Sequence, residues 1–333
     1  MKIILDCHVP AMLAHGGAQI QIEQTQRALQ SIGVEAEFMR WWDAKQAGDV
    51  IHFFGRMPAD QIRFAQKKGM KVVMAELLTA SGSQNAAQRL ARRAFRWTAE
   101  NFAPPGLAAA FDWESYRLAD ACVALTAWEK HLMASKFGAD ARKIFVVPNG
   151  VEEIFFQSQK NARGEWLVCT ATITERKRVL ELAQAAVAAQ TPVWIIGQAY
   201  GGNDAYAQKF FAFAKQNPKF IRYEGGVSDR AGLAKIYRAA RGFVLLSAME
   251  SLSLSALEAA ACECPVLLGD LPWAHSVFGS QATYCPLTGI AGTAATLRKF
   301  YAAAPNLPPP PRPVTWRDVA EQLKSVYEKI LAG

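Results

Sequence analysis

The sequence predicts an α/β protein built from two successive doubly wound domains. Three observations carry this: a length of 333 residues, more than twice the commonest domain size; short β-branched runs alternating with amphipathic segments; and a restart of that alternation after Pro148-Asn149-Gly150. With 51% hydrophobic, 11% aromatic and 20% charged residues, the chain can fill packed interiors. That composition excludes a disordered, collagen-like or coiled-coil protein.

In the first half the expected strands are 2–5, 34–39, 50–54, 71–75, 121–126 and 144–147. Between the first two, GGAQIQIEQTQRALQSIG sets Ile20, Ile22, Leu29 and Ile32 among polar residues and stops at Gly33, which reads as the helix of a βαβ unit. The Pro148-Asn149-Gly150 turn and the polar stretch to Gly164 read as an interdomain hinge. Beyond it, strands are expected at 165–170, 193–196, 220–223, 242–246 and 265–268, and helices at 179–189, 205–216, 231–240 and 253–262. NLPPPPRPV, from Asn306 to Val314, can be neither helix nor inner strand. A stiff crossing linker explains it, with a proline-motif ligand as the alternative. TWRDVAEQLKSVYEKIL follows with Thr315 as a cap and Trp316, Val319, Leu323, Val326, Tyr327 and Ile330 at helical spacing, so this terminal amphipathic helix must dock somewhere.

The expected location is cytosolic: no apolar run reaches the roughly 18 to 20 residues of a membrane span, and MKIILDCHVP is too short for a secretory segment. Cys7, Cys122, Cys169, Cys262, Cys264 and Cys285 form no paired framework and are expected as free thiols. Cys262-x-Cys264 lacks a second pair for a metal site and reads as core or helix end. A net charge of +8 favours anionic partners without choosing among them.

The sharpest constellation is MESLSLSALEAAACECPVLL, where Glu250 follows the strand 242–246 and Glu258 falls two turns into the next helix. Carboxylates so placed can line one crevice at the carboxyl end of a parallel strand, with a helix N-terminus between them for a phosphate. By spacing alone, Glu258 as an ordinary helix residue and Glu250 as a dipole partner fits equally. His15-Gly16-Gly17-Ala18, ahead of the first helix, lets backbone approach an anion, but it has no G-x-G-x-x-G spacing and can be a plain turn. In TATITERKRVLEL, Arg176, Lys177 and Arg178 follow a strand and can hold a diphosphate; a solvated helix start is the other reading, above all for Arg178.

Taken together and in order, GGAQ with its helix, DVIHFFG, ADACVALTAWEKHLMASKFGADARKIFVVPNGVEEIF, TATITERKRVLELAQA, PVWIIGQ, the MES to CPVLL block, DLPWAHSVFG and TWRDVAEQL resemble the retaining nucleotide-sugar glycosyltransferases of the GT-B type, specifically glycosyltransferase family 4. The resemblance implies two Rossmann-like domains facing a central cleft. Residues 1–150 would form the acceptor domain, completed by the helix 315–333 crossing back, and 151–314 the nucleotide-sugar donor domain. It implies Lys177 on the donor diphosphate, Glu250 near the sugar hydroxyls and Glu258 on the ribose. Gly16, Gly17, Gly197, Ser253 and Leu254 would complete the donor site, and His15 and His52 would stand on the acceptor side. No metal and no cofactor are implied; the substrate would be a UDP-, GDP- or ADP-sugar and the acceptor a glycan or lipid-linked glycan in cell-surface or exopolysaccharide synthesis. The mechanism implied is a front-face displacement in which the leaving diphosphate takes the acceptor proton.

Several positions depart from the family pattern. Thr172 stands where an arginine is usual, so Arg176 must supply the second cation; Ser251 and Ser253 replace glycines, restricting φ; Ser276 replaces an acidic residue; and a histidine is missing near Leu77. These leave a second class of function open, a non-catalytic nucleotide- or glycan-binding protein. A nucleic-acid binder has the charge but no recognisable module. His52 can pack as readily as touch an acceptor, and His8 and His15 read as surface histidines. Trp41-Trp42 is expected to pack at a strand end, with acceptor stacking as the alternative. QRLARRAFRW, residues 88–97, reads either as a peripheral membrane contact at the inner face or as a solvated helix face over Phe95 and Trp97.

Overall fold

The computed structural model describes residues 1–8, 16–84, 113–157, 163–201 and 204–333. The chain divides into two units, Met1–Asn149 with Trp316–Gly333, and Gly150–Thr315. Each holds one six-stranded parallel sheet.

In the first unit the strands are β1 (Lys2–Cys7), β2 (Glu35–Phe38), β3 (Val50–Phe54), β4 (Lys71–Met74), β5 (Ala121–Ala124) and β6 (Ile144–Val146), in the order β2-β1-β3-β4-β5-β6. Buried Ile3, Ile4, Leu5, Val50, Ile51, Val72 and Val73 make the inner strands nearly continuous apolar runs, as a sheet covered on both faces requires. Helix α1 (Gly17–Ser31) buries Ile22, Ala28 and Leu29. Among the described helices that went unpredicted are α2 (Ala59–Lys67) and α3 (Ala127–Phe137). The second carries clear end signals: the Thr126 hydroxyl accepts from the Glu129 N–H at 3.1 Å, and Gly138 closes the helix at φ 70°.

The second unit contains β7 (Leu167–Thr170), β8 (Val193–Ile196), β9 (Ile221–Tyr223), β10 (Gly242–Leu245), β11 (Val266–Gly269) and β12 (Thr283–Cys285), in the order β12-β11-β10-β7-β8-β9. Counted within the unit, this is the 3-2-1-4-5-6 order of a Rossmann domain, whose direction of winding reverses between β7 and β10. Its helices are α4 (Val179–Ala189), α5 (Ala205–Gln216), α6 (Arg230–Ala239), α7 (Leu254–Ala261), α8 (Pro272–Phe278) and α9 (Ile290–Ala303). Strand β12, with α8 and α9, was not among the elements the sequence predicted.

The terminal helix α10 (Trp316–Ala332) belongs to the first unit and packs on α1, burying Trp316, Val319, Leu323, Val326 and Tyr327 as their spacing predicted. From Leu307 to Val314 the chain has no regular secondary structure, and the Val314 carbonyl accepts from the Val151 N–H at 2.9 Å. All six cysteines are free; Cys262 and Cys264 are buried, which fits the core role, and burial raises their thiols to about 12. One packing expectation fails: Trp41 and Trp42 are each 80% exposed. Their loop is tied by its polar residues instead, with Arg40 donating to Glu37 at 2.8 Å and to Asp43 at 3.0 Å, and Gln46 donating to the Phe38 carbonyl at 2.9 Å. Residues 88–97 lie outside the described residues.

Candidate active site

In a parallel doubly wound sheet every strand delivers its following loop to one edge, and the two loops flanking the reversal of winding leave a crevice between them. In the second unit those loops follow β7 and β10. The β7 loop ends in a single 3₁₀ turn, Glu175–Lys177, and Arg178 enters the left-handed region at φ 53° to start α4. The two loops are joined by backbone and side chain: the Ala248 N–H donates to the Arg176 carbonyl at 2.8 Å, and Arg176 Nη1 donates to the Met249 carbonyl at 2.8 Å.

The joined loops bring three charged residues of the sequence reading together. Lys177 Nζ forms an ion pair with Glu250 Oε1, and Arg176 Nη1 lies 3.5 Å from the same oxygen. Glu250 and Lys177 side chains are only 9% and 12% exposed, whereas Arg176 is 36% exposed. Arg176 thus stands beside Lys177 on the same carboxylate. A buried carboxylate with two cations is tolerable because its charge is compensated, and losing either member would leave an uncompensated charge.

Glu258 sits on α7, 5% exposed. Arg230 Nη2 donates to its Oε1 at 2.6 Å and the Tyr237 hydroxyl to its Oε2 at 3.3 Å. Burial raises its pKa, opposed by Arg230. Arg230, Tyr237 and Glu152, which accepts from Arg230 Nε at 2.5 Å, were missed by sequence reasoning. Their only signal was indirect, Asp229 ahead of a helical pattern, which marks a helix start and places Arg230 in the first turn at the sheet edge.

Between the two glutamates, Ser253 caps α7: its hydroxyl accepts from the Ala256 N–H at 3.3 Å. The expectation that serine strains this loop is not met, since Ser253 has φ −79° and Ser251 is not among the residues with positive φ. Leu254 opens the helix and is buried. Gly197, after β8, is dictated by space: a Cβ there would lie 1.8 Å from the Ala171 carbonyl oxygen at the mouth of the β7 loop. The buried Ser247 hydroxyl, at the end of β10, has no hydrogen-bond partner among the described residues.

In the first unit, Gly16 caps α1 at φ 128° and Gly17 is its first residue. Nearby, a cavity of about 360 Å³ opens beyond the ends of β1, β3 and β4, lined by His8, Ala18, Gly55, Arg56, Glu76 and Leu77 among others. His15 lies outside the described residues. His52 is not at the surface: it is 1% exposed, stacks on Phe54 at 4.5 Å, and its Nδ1 meets the Tyr327 hydroxyl at 2.6 Å. Covered by α10, it takes the packing role. Trp41 lines a separate cavity of about 800 Å³ together with Phe64 and Asp60. No group of three or more His, Cys, Asp or Glu among the described residues is placed to hold a metal ion, and no described helix is long and apolar enough to cross a membrane.

Two parallel α/β units, the second presenting a paired acid and cations at its winding reversal, define a GT-B protein. Residues 150–291, most of the second unit, match the family described as glycosyl transferases group 1, in line with the resemblance read from the motifs. Among solved structures, the chain is similar to Anabaena HepE in complex with UDP, at 13% identity and TM-score 0.65, covering 99% of this chain and 100% of that one. It is also similar to sucrose-phosphate synthase from Thermosynechococcus elongatus, at 16% identity and TM-score 0.66 over 100% and 97% of the two chains. A glycosyltransferase from Rickettsia africae shares 13% identity with TM-score 0.64 over 99% and 98%. At these identities the likeness is one of fold. No curated protein matches the chain.

Proposed function

We propose that this glycosyltransferase moves a hexosyl group from a nucleotide-diphosphate sugar to a hydroxyl acceptor, with retention of configuration and without a metal ion. The second unit holds the donor and the first the acceptor. The observation that carries this reading is the convergence of Lys177 and Arg176 on Glu250 at the winding reversal of a group 1 domain. In the reaction the bond from the anomeric carbon to the diphosphate oxygen breaks, the acceptor oxygen forms its bond on the same face, and the departing diphosphate takes the acceptor proton. Charge then accumulates on the diphosphate, and Lys177 and Arg176 stabilise it while α7 offers its N-terminal N–H groups through Leu254. Glu250, released from the cations by the diphosphate, is free to accept from donor sugar hydroxyls; Glu258 accepts from the ribose. Gly197 keeps the β7 loop open to the phosphates. HepE has been captured with UDP, and a pneumococcal O-GlcNAc transferase of this fold with UDP and GlcNAc, which supports a UDP-sugar as the first donor to try. A glycan or lipid-linked glycan of a surface or exopolysaccharide is the acceptor class, and a cytosolic enzyme touching the inner membrane face through residues 88–97 is the matching location.

A second reading, a binding protein without turnover, has one observation in its favour: the buried Lys177 is paired with Glu250. The deciding experiment is a thermal-shift panel of UDP, GDP, ADP and their sugars, followed by a turnover assay with the sugar that binds. Donor hydrolysis or transfer supports the enzyme; saturable binding with no release of nucleoside diphosphate supports the binding protein.

A further inference from the structure

The ion pairs at Glu250 account for the diphosphate end of a donor, but Arg230, the closest partner of Glu258, has no part in that chemistry. Three anchors fix its guanidinium: Nη2 on Glu258 at 2.6 Å, Nε on Glu152 at 2.5 Å, and the Phe155 ring 4.7 Å beneath it. Its position follows from the fold, because Asp229 caps α6 and sets Arg230 in the first turn, opposite α7. A carboxylate accepts up to about four hydrogen bonds, one or two on each oxygen. Arg230 takes one place on Oε1 and Tyr237 one on Oε2, so one remains on each oxygen, which matches the two hydroxyls of a ribose.

We propose that Arg230 is a positioning residue for nucleotide recognition, holding the Glu258 carboxylate oriented so that both oxygens receive a ribose diol. This rests on the reading of Glu258 as the ribose acceptor. Arg230 need not leave for the nucleotide to enter, because the spare lone pairs suffice and its other anchors are independent of Glu258. The groups facing Glu258 are Arg230 and Tyr237 from α6, Glu152 from the start of the second unit, and Cys262 at the end of its own helix. Burial and Glu152 both favour the protonated acid, and Arg230 is the one cation opposing them. A protonated Glu258 would present a donor where the ribose needs an acceptor.

The test is calorimetric titration of the full chain with UDP, GDP and ADP over about pH 5.5 to 8.5, comparing wild type with Arg230→Met, Arg230→Lys and Glu258→Ala. Wild type sets the baseline, including the change that the nucleotide's own terminal phosphate brings as it ionises at about pH 6, and each variant is read as its ratio to wild type at the same pH. Arg230→Met should bind about tenfold or more weakly at pH 6 and recover part of the loss toward pH 8.5, as Glu258 ionises. Arg230→Lys, which keeps the charge, should show a smaller loss and a flatter profile. Unchanged or tighter binding by Arg230→Met, or a loss by one constant factor at every pH, overturns the proposal. If circular dichroism shows Arg230→Met unfolded, Arg230→Lys decides alone: a loss of about threefold or more supports the role and none overturns it. Failure of the underlying reading looks different. Wild type would then bind none of the three nucleotides, or Glu258→Ala would bind as well as wild type.

Discussion

Glu250 pairs with two cations, and this sets the behaviour of single substitutions. Lys177→Ala should weaken a nucleoside diphosphate and slow turnover together, since its charge meets the diphosphate in the ground and transition states. Glu250→Ala releases Lys177 and Arg176, so it should leave the sugar-free diphosphate bound as well as before or more tightly, while impairing sugar-dependent steps. Equal loss of the free nucleotide in both variants would refute the assigned roles. Glu258→Ala should weaken nucleotide binding by roughly 1.5 to 3 kcal/mol, the range for a hydrogen bond to a charged group, as measured by calorimetry on folded protein. Because Arg176 already stands beside Lys177, Thr172→Arg should leave phosphate affinity and turnover nearly unchanged; a clear rise in either would mean that Arg176 does not supply the second charge. Lys177, Glu250 and Glu258 were legible because each belongs to a spaced motif. Arg230 and Tyr237 were not: they are ordinary residues of an amphipathic helix until the sheet order sets α6 beside α7.

Helix ends and helix docking decide what each element contributes. Ser253→Ala removes the α7 cap and should cost about 1 kcal/mol in thermal or denaturant unfolding, whereas Ser253→Gly should cost only a few tenths. The docking of α10 places a pH-sensitive group in the core. Burial lowers His52 to about 3 from an ordinary 6.5, so between those values the unfolded chain binds a proton that the folded chain refuses. The stability that His52 contributes is therefore complete above pH 6.5 and is lost as pH falls toward 3, by roughly 1.4 kcal/mol per pH unit. Urea unfolding of wild type and His52→Gln at pH 6.5 and 4.5 checks this: wild type should lose more over that interval, and parallel losses would contradict it. The helix itself could be seen in the sequence from Trp316 to Tyr327, but its contact with His52 lies 275 positions away and no local pattern announces it.

For the molecule as a whole, the expectation concerns linkage between ligand and folding. A nucleotide that binds only the folded state at about a hundred times its Kd stabilises it by about 2.7 kcal/mol, so UDP, GDP or ADP should raise the melting temperature measurably. Because Lys177, Glu250, Glu258 and Arg230 all belong to the second unit, the rise should be confined to the transition that unfolds residues 150–315. A nucleotide that instead shifted only the unfolding of the first unit would move the donor site there.

Periodicity by itself determined the two parallel α/β units, five strands of the second and the ends of α4 and α5, because buried strands and amphipathic helices are local patterns of burial. The ordered motifs pointed to the family that residues 150–291 match and to Lys177, Arg176 and Glu250, which the fold brings together. The remainder required the fold. Whether Arg176 could reach Glu250 depended on how far apart two loops lie that are 73 residues apart in the chain, and the strand order that sets β7 beside β10 brings them together. Trp41 and Trp42 look like core from their composition, yet solvent surrounds them because the polar residues of their own loop tie it without them. His52 looked like a site residue from its strand end and is core because a helix from the far end of the chain covers it. Exposure and partnership are properties of what packs on a residue, and long-range packing leaves no trace in local spacing.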